Sequence, residues 1–185
     1  MNLVLESGRP SDAANRLSRE LRCYDFLSSL GIEYERIDHP HADTMEACAE
    51  IDGVLGAKIC KNLFLCNRQQ TEFYLLLIPA DKIFKTKDIS AQIESSRLSF
   101  GSAERMVELL DTEPGSLSVL SLINDNEYRV KLLVDKELLD SEFIGCHPCV
   151  NTTSLKLSKN DIFDKILVSL KRQPKFVDLP KYEAQ

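Results

Sequence analysis

A lysine and a histidine, each set among strand-like residues, are the first candidates for chemistry in this sequence. Lys61 lies in an apolar segment whose alternation places it on the same side as Ile59, Leu63 and Leu65, so it is a candidate for a charged group that faces into a concave site. His147 lies in a loop between two strand-like segments, where substrate-binding residues often occur. The alternatives are a lysine on the exposed face of a strand and a histidine with a purely structural role.

Two polar segments could complete a pocket for a small substrate. The turn at Gly115 and Ser116 can aim backbone N–H groups at a substrate oxygen, and fixed donors of this kind stabilise an oxyanion. A plain tight turn is the alternative. The sequence contains no G-x-S-x-G motif, which argues against a serine hydrolase. The polar residues 151–154 would line the mouth of a pocket or simply end a turn.

The sequence contains six cysteines, and its closely spaced pair, Cys146 and Cys149, flanks His147 and Pro148. A structural zinc site normally needs two such pairs. A redox CxxC motif should open a helix after a strand, whereas residues 150–153 have an extended pattern. We therefore expect reduced thiols, no metal and no cofactor, with a zinc or thiol-redox site as the alternative.

Composition and charge are those of an ordinary globular protein with an acidic surface. The 185 residues are 43% hydrophobic and 28% charged, with a formal net charge of −6. No apolar run approaches the ~18–20 residues that cross a membrane, and the N-terminal residues show no signal-peptide pattern. We therefore expect a cytoplasmic protein without membrane contact.

Any contact with nucleic acid must be local, because proteins that bind nucleic acid broadly are usually basic. Three short basic groups are candidates for such a patch, and each could also be a plain solvated surface. They are Lys58/Lys61/Arg68, Lys82/Lys85/Lys87 and Lys171/Arg172/Lys175.

The hydrophobic pattern predicts helices and strands without a regular βαβ alternation. We expect helices near 12–30, 44–51, 87–93, 102–110 and from 161 onward, with Thr44 and Ser158 as capping residues. We expect strands near 32–38, 58–66, 72–79, 97–101, 117–123, 130–135 and 152–157, of which 58–66 and 72–79 form a hairpin around the polar turn 67–70. The predicted fold class is α+β, with a mixed, curved β-sheet and flanking helices. We expect an N-terminal tail over 1–10, one domain over 11–178, and a C-terminal tail over 179–185, with poor order from residue 174 onward.

Six short motifs stand out when they are taken in chain order. They are His39-Pro40 with 44–47, Lys61–Leu65, Leu98–Ser102, Pro114–Ser116 with 122–125, Gly145-x-His147-Pro148, and Val150–Thr153. In this order and spacing, over about residues 20–178, the chain resembles the YbaK/prolyl-tRNA-synthetase-associated family of aminoacyl-tRNA editing domains. The resemblance is to the free-standing members that deacylate mischarged Ala-tRNA(Pro).

The resemblance implies ester hydrolysis without metal or cofactor, in which water attacks the aminoacyl ester and a hydroxyl of the terminal ribose assists. It implies that Lys61 holds the 3′ end of the aminoacyl-tRNA and that His147 is the second catalytic candidate, beside the aminoacyl group. The implied substrate-binding residues are Asn62, Phe64, Gly115, Ser116, Asn124, Gly145, Pro148 and Asn151. The implied partner is the acceptor end of tRNA(Pro), with prolyl-tRNA synthetase or an elongation factor as transient partners.

There is a physical reason why a separate hydrolytic pocket is needed in addition to the proline pocket of the synthetase. A synthetase pocket built for proline cannot strongly exclude alanine, because each missing methylene costs only ~1–3 kcal/mol. The chain departs from the family pattern at Ser118-Val119-Leu120, where a proline is frequent, and at the cysteines around His147-Pro148. These departures bear on amino-acid specificity, so a deacylase for cysteine or another small amino acid is one alternative. A catalytically weak module that binds tRNA or a synthetase is the other.

Overall fold

The computed structural model describes residues 3–42 and 44–182. Its strands are β1 (Leu5–Ser7), β2 (Glu35–Asp38), β3 (Lys61–Cys66), β4 (Phe73–Ile78), β5 (Ser99–Phe100), β6 (Val130–Asp135), β7 (Phe143–Cys146), β8 (Thr153–Ser158) and β9 (Lys175–Val177). Its α-helices are α1 (Ser18–Ser29), α2 (Met45–Leu55), α3 (Thr86–Ser90), α4 (Ala103–Leu110) and α5 (Leu167–Ser169). Short 3-10 helices occur at Ala13–Asn15, Val119–Asn124 and Lys136–Asp140, and a π-helical segment, Asp161–Ile166, runs into α5. The predicted α+β class is confirmed.

The strands form two sheets instead of one continuous curved sheet. The four-stranded sheet has the order β1-β2-β8-β7 and is antiparallel throughout. The five-stranded sheet has the order β5-β3-β4-β6-β9, in which β4, β6 and β9 run parallel and the other pairs are antiparallel. The predicted hairpin of β3 and β4 is confirmed, and the mixed pairing is confined to the five-stranded sheet.

The segment 117–123, predicted as a strand, is largely a 3-10 helix over Val119–Asn124. Ser118 accounts for the difference. Its hydroxyl accepts from the Leu120 N–H (3.1 Å), and its own N–H donates to the Ser121 hydroxyl (3.1 Å), which together cap the helix. Because the segment is buried on nearly all sides, its apolar pattern matches that of a buried strand and periodicity does not separate the two.

A short strand near each end of the described residues pairs into a sheet, although a loose segment was predicted over 1–10 and from 174 onward. The first, β1, pairs antiparallel with β2, and the last, β9, pairs parallel with β6. Val177 and Leu179 are buried in the core beneath β9. These strands are three residues long, so their local sequence carries no alternation from which a strand could be predicted, and their hydrogen bonds come from distant partners.

The other elements agree with the predictions apart from their boundaries. The predicted helix 12–30 divides into a 3-10 turn and α1. Thr44 caps α2 by accepting from the Ala47 N–H at 3.1 Å, and α2 continues one turn further than predicted. The Asp161 N–H donates to the Ser158 hydroxyl at 3.3 Å, as the capping pattern predicts, although the turns that follow are π-helical.

The five-stranded sheet has a hydrophobic core on each face. The larger core packs against α1 and α4 and contains Phe64. The smaller core packs against α3 and contains Leu65 and, at its edge, Leu63. Because side chains alternate along a strand, Lys61 lies on the face of the smaller core and Asn62 on the face of the larger one.

The two sheets meet at a backbone bridge between Ile59 and Gly145. The Gly145 N–H donates to the Lys58 carbonyl (2.9 Å), and the Cys60 N–H donates to the Gly145 carbonyl (3.3 Å). A Cβ on Gly145 would lie 2.9 Å from the nitrogen and 3.0 Å from the Cα of Ile59, so this close approach requires glycine. The bridge places the start of β3 beside the end of β7, where the predicted site residues occur.

Replacement of Gly145 by alanine should lower the free energy of unfolding by about 1–3 kcal/mol, because the added Cβ pushes against main-chain atoms that cannot yield cheaply. Gly53→Ala is the matched control, because a Cβ there meets nothing within 4 Å and Gly53 lies inside α2. This control should be neutral or stabilising by up to about 1 kcal/mol. Urea denaturation measures both, and a Gly145→Ala variant as stable as the parent would contradict the role of the bridge.

Candidate active site

Two His-Pro dipeptides meet at one end of the four-stranded sheet. Strand β8 runs antiparallel to both β2 and β7, so the loops that follow β2 and β7 both lie at its N-terminal end. His39 follows β2 and His147 follows β7, and their ring centroids are 6.3 Å apart. Two motifs that are distant in the sequence are therefore neighbours in the fold.

His39 is buried and has both ring nitrogens engaged. Its Nδ1 contacts the Pro40 carbonyl oxygen at 2.8 Å, and its Nε2 contacts the Ser154 hydroxyl at 2.9 Å. Its backbone N–H donates to the Thr152 carbonyl at 2.9 Å. His39 therefore fixes the loop after β2 to the start of β8 and has no free ring nitrogen for a ligand.

His147 is half-buried and has one free ring nitrogen. Its Nδ1 contacts the Thr153 carbonyl at 2.9 Å, and because a carbonyl only accepts, Nδ1 carries the proton. Its Nε2 has no hydrogen-bond partner among the described residues. Burial lowers the pKa of His147 below its usual 6.5, the hydrogen bond to Thr153 opposes this, and His39 lowers it further. The ring is therefore neutral near pH 7, with an Nε2 lone pair available to a ligand.

The backbone of His147 is fixed by Ser118. The Ser118 hydroxyl donates to the His147 carbonyl oxygen at 2.5 Å while it also caps the 3-10 helix. Ser118 occupies one of the positions at which the chain departs from the family pattern. The sequence identified this departure but gave no signal of its role.

A network of charged and polar side chains holds the start of β8 to α1, and sequence reasoning missed it. The Thr153 hydroxyl donates to Asp38 (2.8 Å), which also pairs with Arg16 (2.6 Å). Arg16 pairs in turn with Glu20 (2.6 Å), and Glu20 accepts from the Tyr24 hydroxyl (2.7 Å). Burial raises the pKa of Asp38, but hydrogen bonds from Arg16, Thr153 and Arg36 outweigh it and lower the pKa to about 2.

The Gly115–Ser116 turn lies near the loop after His147. Gly115 has a φ of 86°, which favours glycine, and a Cβ there would lie 3.4 Å from the Asn151 amide nitrogen. The Ser116 N–H donates to the Glu113 carbonyl at 3.0 Å. The sequence pattern allowed a Ser116 N–H that points at a substrate oxygen. In the structure this N–H is used by the turn itself.

Several predicted substrate-binding residues have structural partners. Asn124 donates to the Leu110 carbonyl (2.9 Å) and accepts from Arg22 (3.1 Å), which links α1 to α4. Phe64 is buried, stacks on Phe73 with centroids 5.6 Å apart, and lies against Gly101. Pro148 is buried, and Gly145 forms the bridge between the sheets. Substrate contact by these residues stays a prediction.

Lys61 and Asn62 lie at the start of β3. The Lys61 ammonium donates to the Lys82 carbonyl at 2.8 Å. The Asn62 amide donates to the Cys60 carbonyl at 2.9 Å, and Cys60 is bonded to Gly145 through the bridge. Asn62 lies on the side of the larger core, which also contains Cys146 and Cys149 on either side of His147, whereas Lys61 lies on the other face of the sheet.

The cysteines flanking His147-Pro148 are buried, and all six cysteines are free thiols. Cys149 has a φ of 59°, and its sulfur lies 3.6 Å from that of Cys23 in α1. This hydrogen bond lowers the pKa of Cys149 and raises that of Cys23. Within residues 3–42 and 44–182, no group of three or more His, Cys, Asp or Glu residues is arranged to hold a metal ion.

The prediction of an exposed basic patch is wrong for Lys82 and Arg172, because the charges of both side chains are buried and paired. Lys82 is 4% exposed and contacts both carboxylate oxygens of Asp135 at 2.9 Å, and Arg172 pairs with buried Asp125 at 3.0 Å. The remaining members form no salt bridge with a carboxylate among the described residues; they are Lys58, Lys61, Arg68, Lys85, Lys87, Lys171 and Lys175. None of the described helices is long and apolar enough to span a membrane.

A cavity of about 620 Å³ lies at the opposite end of the four-stranded sheet from the two histidines. Tyr34, Phe143 and Lys156 are among its lining residues, and the predicted site residues do not line it. Lys156 there is paired with Glu35 at 2.9 Å. None of the described residues that line this cavity is a histidine. We take the two loops that contain His39-Pro40 and His147-Pro148, called the histidine loops, as the candidate active site.

Comparisons with known proteins agree with the resemblance seen in the sequence. A model of the family described as the aminoacyl-tRNA editing domain matches residues 39–165. The prolyl-tRNA editing protein ProX of Acetoanaerobium sticklandii is 31% identical over 136 residues, which cover 74% of this chain and 83% of ProX. The prolyl-tRNA synthetase associated domain-containing protein 1 of Danio rerio is 28% identical over 161 residues, which cover 86% of each chain.

The fold is also that of a solved structure of a candidate trans-editing enzyme for prolyl tRNA synthetase. The TM-score is 0.68, and the match covers 91% of this chain and 100% of that chain. The sequence identity is 15%, so this likeness concerns the fold alone.

His147 should titrate with a midpoint below pH 6.5, because burial disfavours its charged form. Since its pKa is lowered on folding, the free energy of unfolding should fall as the pH drops from about 6.5 through that lowered pKa. A His147→Gln variant should lose this part of the pH dependence. NMR titration of the ring, assigned with the variant, measures the midpoint; a value at or above 6.5 would contradict the neutral, desolvated ring.

Proposed function

The chain belongs to the aminoacyl-tRNA editing domain family, and we propose that it is a deacylase that hydrolyses the ester of mischarged Ala-tRNA(Pro). The observation that carries the chemistry is the His147 ring, whose Nδ1 is fixed by a carbonyl and whose Nε2 is free. The choice of tRNA rests on the relatives, which are named for prolyl-tRNA editing and for association with prolyl-tRNA synthetase.

In the proposed reaction, a water molecule held by His147 Nε2 attacks the carbonyl carbon of the alanyl ester. The bond between that carbon and the ribose oxygen breaks, the ribose oxygen takes a proton, and free alanine and deacylated tRNA leave. A neighbouring ribose hydroxyl assists the proton transfer. Because an aminoacyl ester is already activated, positioning and hydrogen bonding supply enough catalysis without a strong base, metal or cofactor.

Lys61 is proposed to hold the RNA end of the substrate instead of the ester itself. An ammonium group has three N–H donors, and the Lys82 carbonyl takes one, so two remain for a phosphate or ribose oxygen. This proposal explains why Lys61 and His147 lie apart, because the two side chains hold different parts of one substrate. Asn62 lies on the side of the sheet that packs against Cys146 and Cys149, and it is proposed to contact the terminal nucleoside.

Lys61→Ala should lower kcat/KM for Ala-tRNA(Pro) by about 100-fold or more, because a charge-assisted contact to the RNA end is lost. The matched control is Lys136→Ala, since Lys136 is also exposed and has no carboxylate partner among the described residues. Single-turnover deacylation measures both, and urea unfolding checks that each variant is folded. A Lys61→Ala enzyme at the rate of the parent would contradict the assignment. Binding of Ala-tRNA(Pro) without hydrolysis by the parent would instead indicate a regulatory module.

Ala-tRNA(Pro) should be hydrolysed about 10- to 100-fold faster than Pro-tRNA(Pro), because a packed pocket resists an added ring. The proposed wall is the segment from Gly115 to Leu120, in which Leu117, Val119 and Leu120 are buried and Ser118 is bonded to His147. Initial rates on the alanyl, prolyl and cysteinyl esters of one tRNA, measured with a strong chelator present, test this. Equal rates on alanyl and prolyl esters would refute exclusion by size, and a faster cysteinyl ester would assign the cysteine alternative.

A further inference from the structure

A basic and aromatic cavity lies at the β9 side of the five-stranded sheet, away from the histidine loops. Its volume is about 390 Å³, and it lies among β4, β6, β9 and the segments that lead into β6 and β9. The lining includes four basic residues and two tyrosines: Lys131, Lys171, Arg172, Lys175, Tyr74 and Tyr128. The described residues that line it include no aspartate or glutamate. Lys131 and Arg172 are paired with carboxylates outside the lining, so the charge open to an anionic ligand is that of Lys171 and Lys175. We call it the Lys175 cavity.

Two lysines of the Lys175 cavity can offer their charge to a ligand. Lys171 and Lys175 are exposed, and no carboxylate among the described residues pairs with either. Lys131 differs, because it pairs with Glu72 and lies over the Tyr74 ring at 5.5 Å. The sequence marked Lys171 and Lys175 as members of a basic patch, and the family match ends before both of them.

Tyr128 forms a fixed aromatic surface beside these lysines. Tyr128 is 54% exposed, and its ring lies over the Arg172 guanidinium carbon at 4.6 Å. Arg172 is itself held by the Asp125 carboxylate (3.0 Å) and the Val130 carbonyl (3.2 Å), so its position is determined and its charge is neutralised. Tyr128 also has a φ of 57°, a conformation that a bulky residue keeps only where the surrounding structure imposes it.

The side chains of Lys175 and Lys61 lie on the same face of the sheet. In the strand register, Leu63 pairs with Leu76, which pairs with Leu133. Leu133 pairs with Lys175, so the four side chains of this row point to one face. Lys61 is two residues from Leu63 and points the same way. Because β3 and β9 are three strand spacings apart, Lys61 and Lys175 are about 15 Å apart.

We propose that the Lys175 cavity binds the phosphodiester backbone of the tRNA whose 3′ end Lys61 holds, with one nucleobase stacked on Tyr128. This inference rests on the proposed function. Lysines bind RNA phosphates through charge and release counterions as they do so. An exposed aromatic ring stacks on any base, because every base has a flat face. The arrangement gives a net acidic protein a second, local contact with a polyanion on the same side of the sheet as Lys61.

The test compares Lys171→Gln/Lys175→Gln with Lys136→Gln/Lys165→Gln, which removes the same charge at two exposed lysines outside the cavity. The probe is deacylated tRNA(Pro), and its affinity is measured over a series of KCl concentrations. The cavity variant should bind more weakly, and its slope of log affinity against log salt should be shallower by about 1.5, since each lost phosphate contact removes roughly 0.7–0.9. The control variant should keep the slope of the parent.

Tyr128→Ala should weaken tRNA binding by about tenfold at every salt concentration, because stacking does not depend on counterions. Tyr128→Phe keeps the ring and should bind like the parent. An unchanged salt slope in the cavity variant, or an equal loss in the control, would overturn the proposal. So would tighter binding of adenosine 5′-monophosphate than of tRNA, which would assign the cavity to a free nucleotide.

The cavity does not touch the ester, so the cavity variant should hydrolyse Ala-tRNA(Pro) at the parental rate when enzyme is saturating. A slower rate under saturation would indicate a structural defect and contradict a binding role. If the parent hydrolyses no aminoacyl ester, the proposed function fails. The binding of deacylated tRNA would still decide whether the cavity holds RNA.

Discussion

The contact between Gly145 and Ile59 determines how the two sheets are placed relative to each other at the candidate site. It consists of two backbone hydrogen bonds, and it exists because Gly145 has no Cβ to separate the chains. Two such bonds contribute only about 1–3 kcal/mol together. Their position matters more than their energy, because the start of β3 and the loop after β7 belong to different sheets and meet there. This glycine therefore determines where the start of β3, which carries Asn62, lies relative to the end of β7, which leads to His147.

Local chemistry made much of this fold predictable. The apolar runs on either side of the 67–70 turn predicted the β3–β4 hairpin, and Thr44 and Ser102 predicted helix starts that their side chains do cap. The terminal strands were not predictable, because their hydrogen-bond partners lie far away in the chain. Residues 117–123 were predicted wrongly, because a buried 3-10 helix and a buried strand have the same apolar pattern, and only the capping by Ser118 distinguishes them.

The candidate site was predictable in its members but not in its geometry. Motif order singled out Lys61 and His147, yet it could not show that they lie on opposite sides of the five-stranded sheet. It also gave no signal of the Arg16–Asp38–Thr153 network, because these residues occur in no motif and interact only after β2, β8 and α1 have packed. The charge pattern of the sequence also did not show which basic residues are buried. Lys82 and Arg172 look like surface cations in the sequence, but buried carboxylates neutralise both of them.

The burial of His147 has a consequence for the kind of substrate that suits the site. An aminoacyl ester carries a cationic α-ammonium group, and a protonated histidine close to it would repel it. Burial lowers the pKa of His147, and the main-chain carbonyl at Nδ1 determines which nitrogen holds the proton, so a neutral acceptor faces the ligand. His39 strengthens this effect, because a second ring nearby further disfavours the charged form of His147. Burial raises the pKa of the Cys146 thiol beside this loop, so this thiol stays uncharged. A site of this kind discriminates by shape and hydrogen bonding, and in the proposed function the long-range attraction to RNA comes from lysines elsewhere on the surface that form no salt bridge.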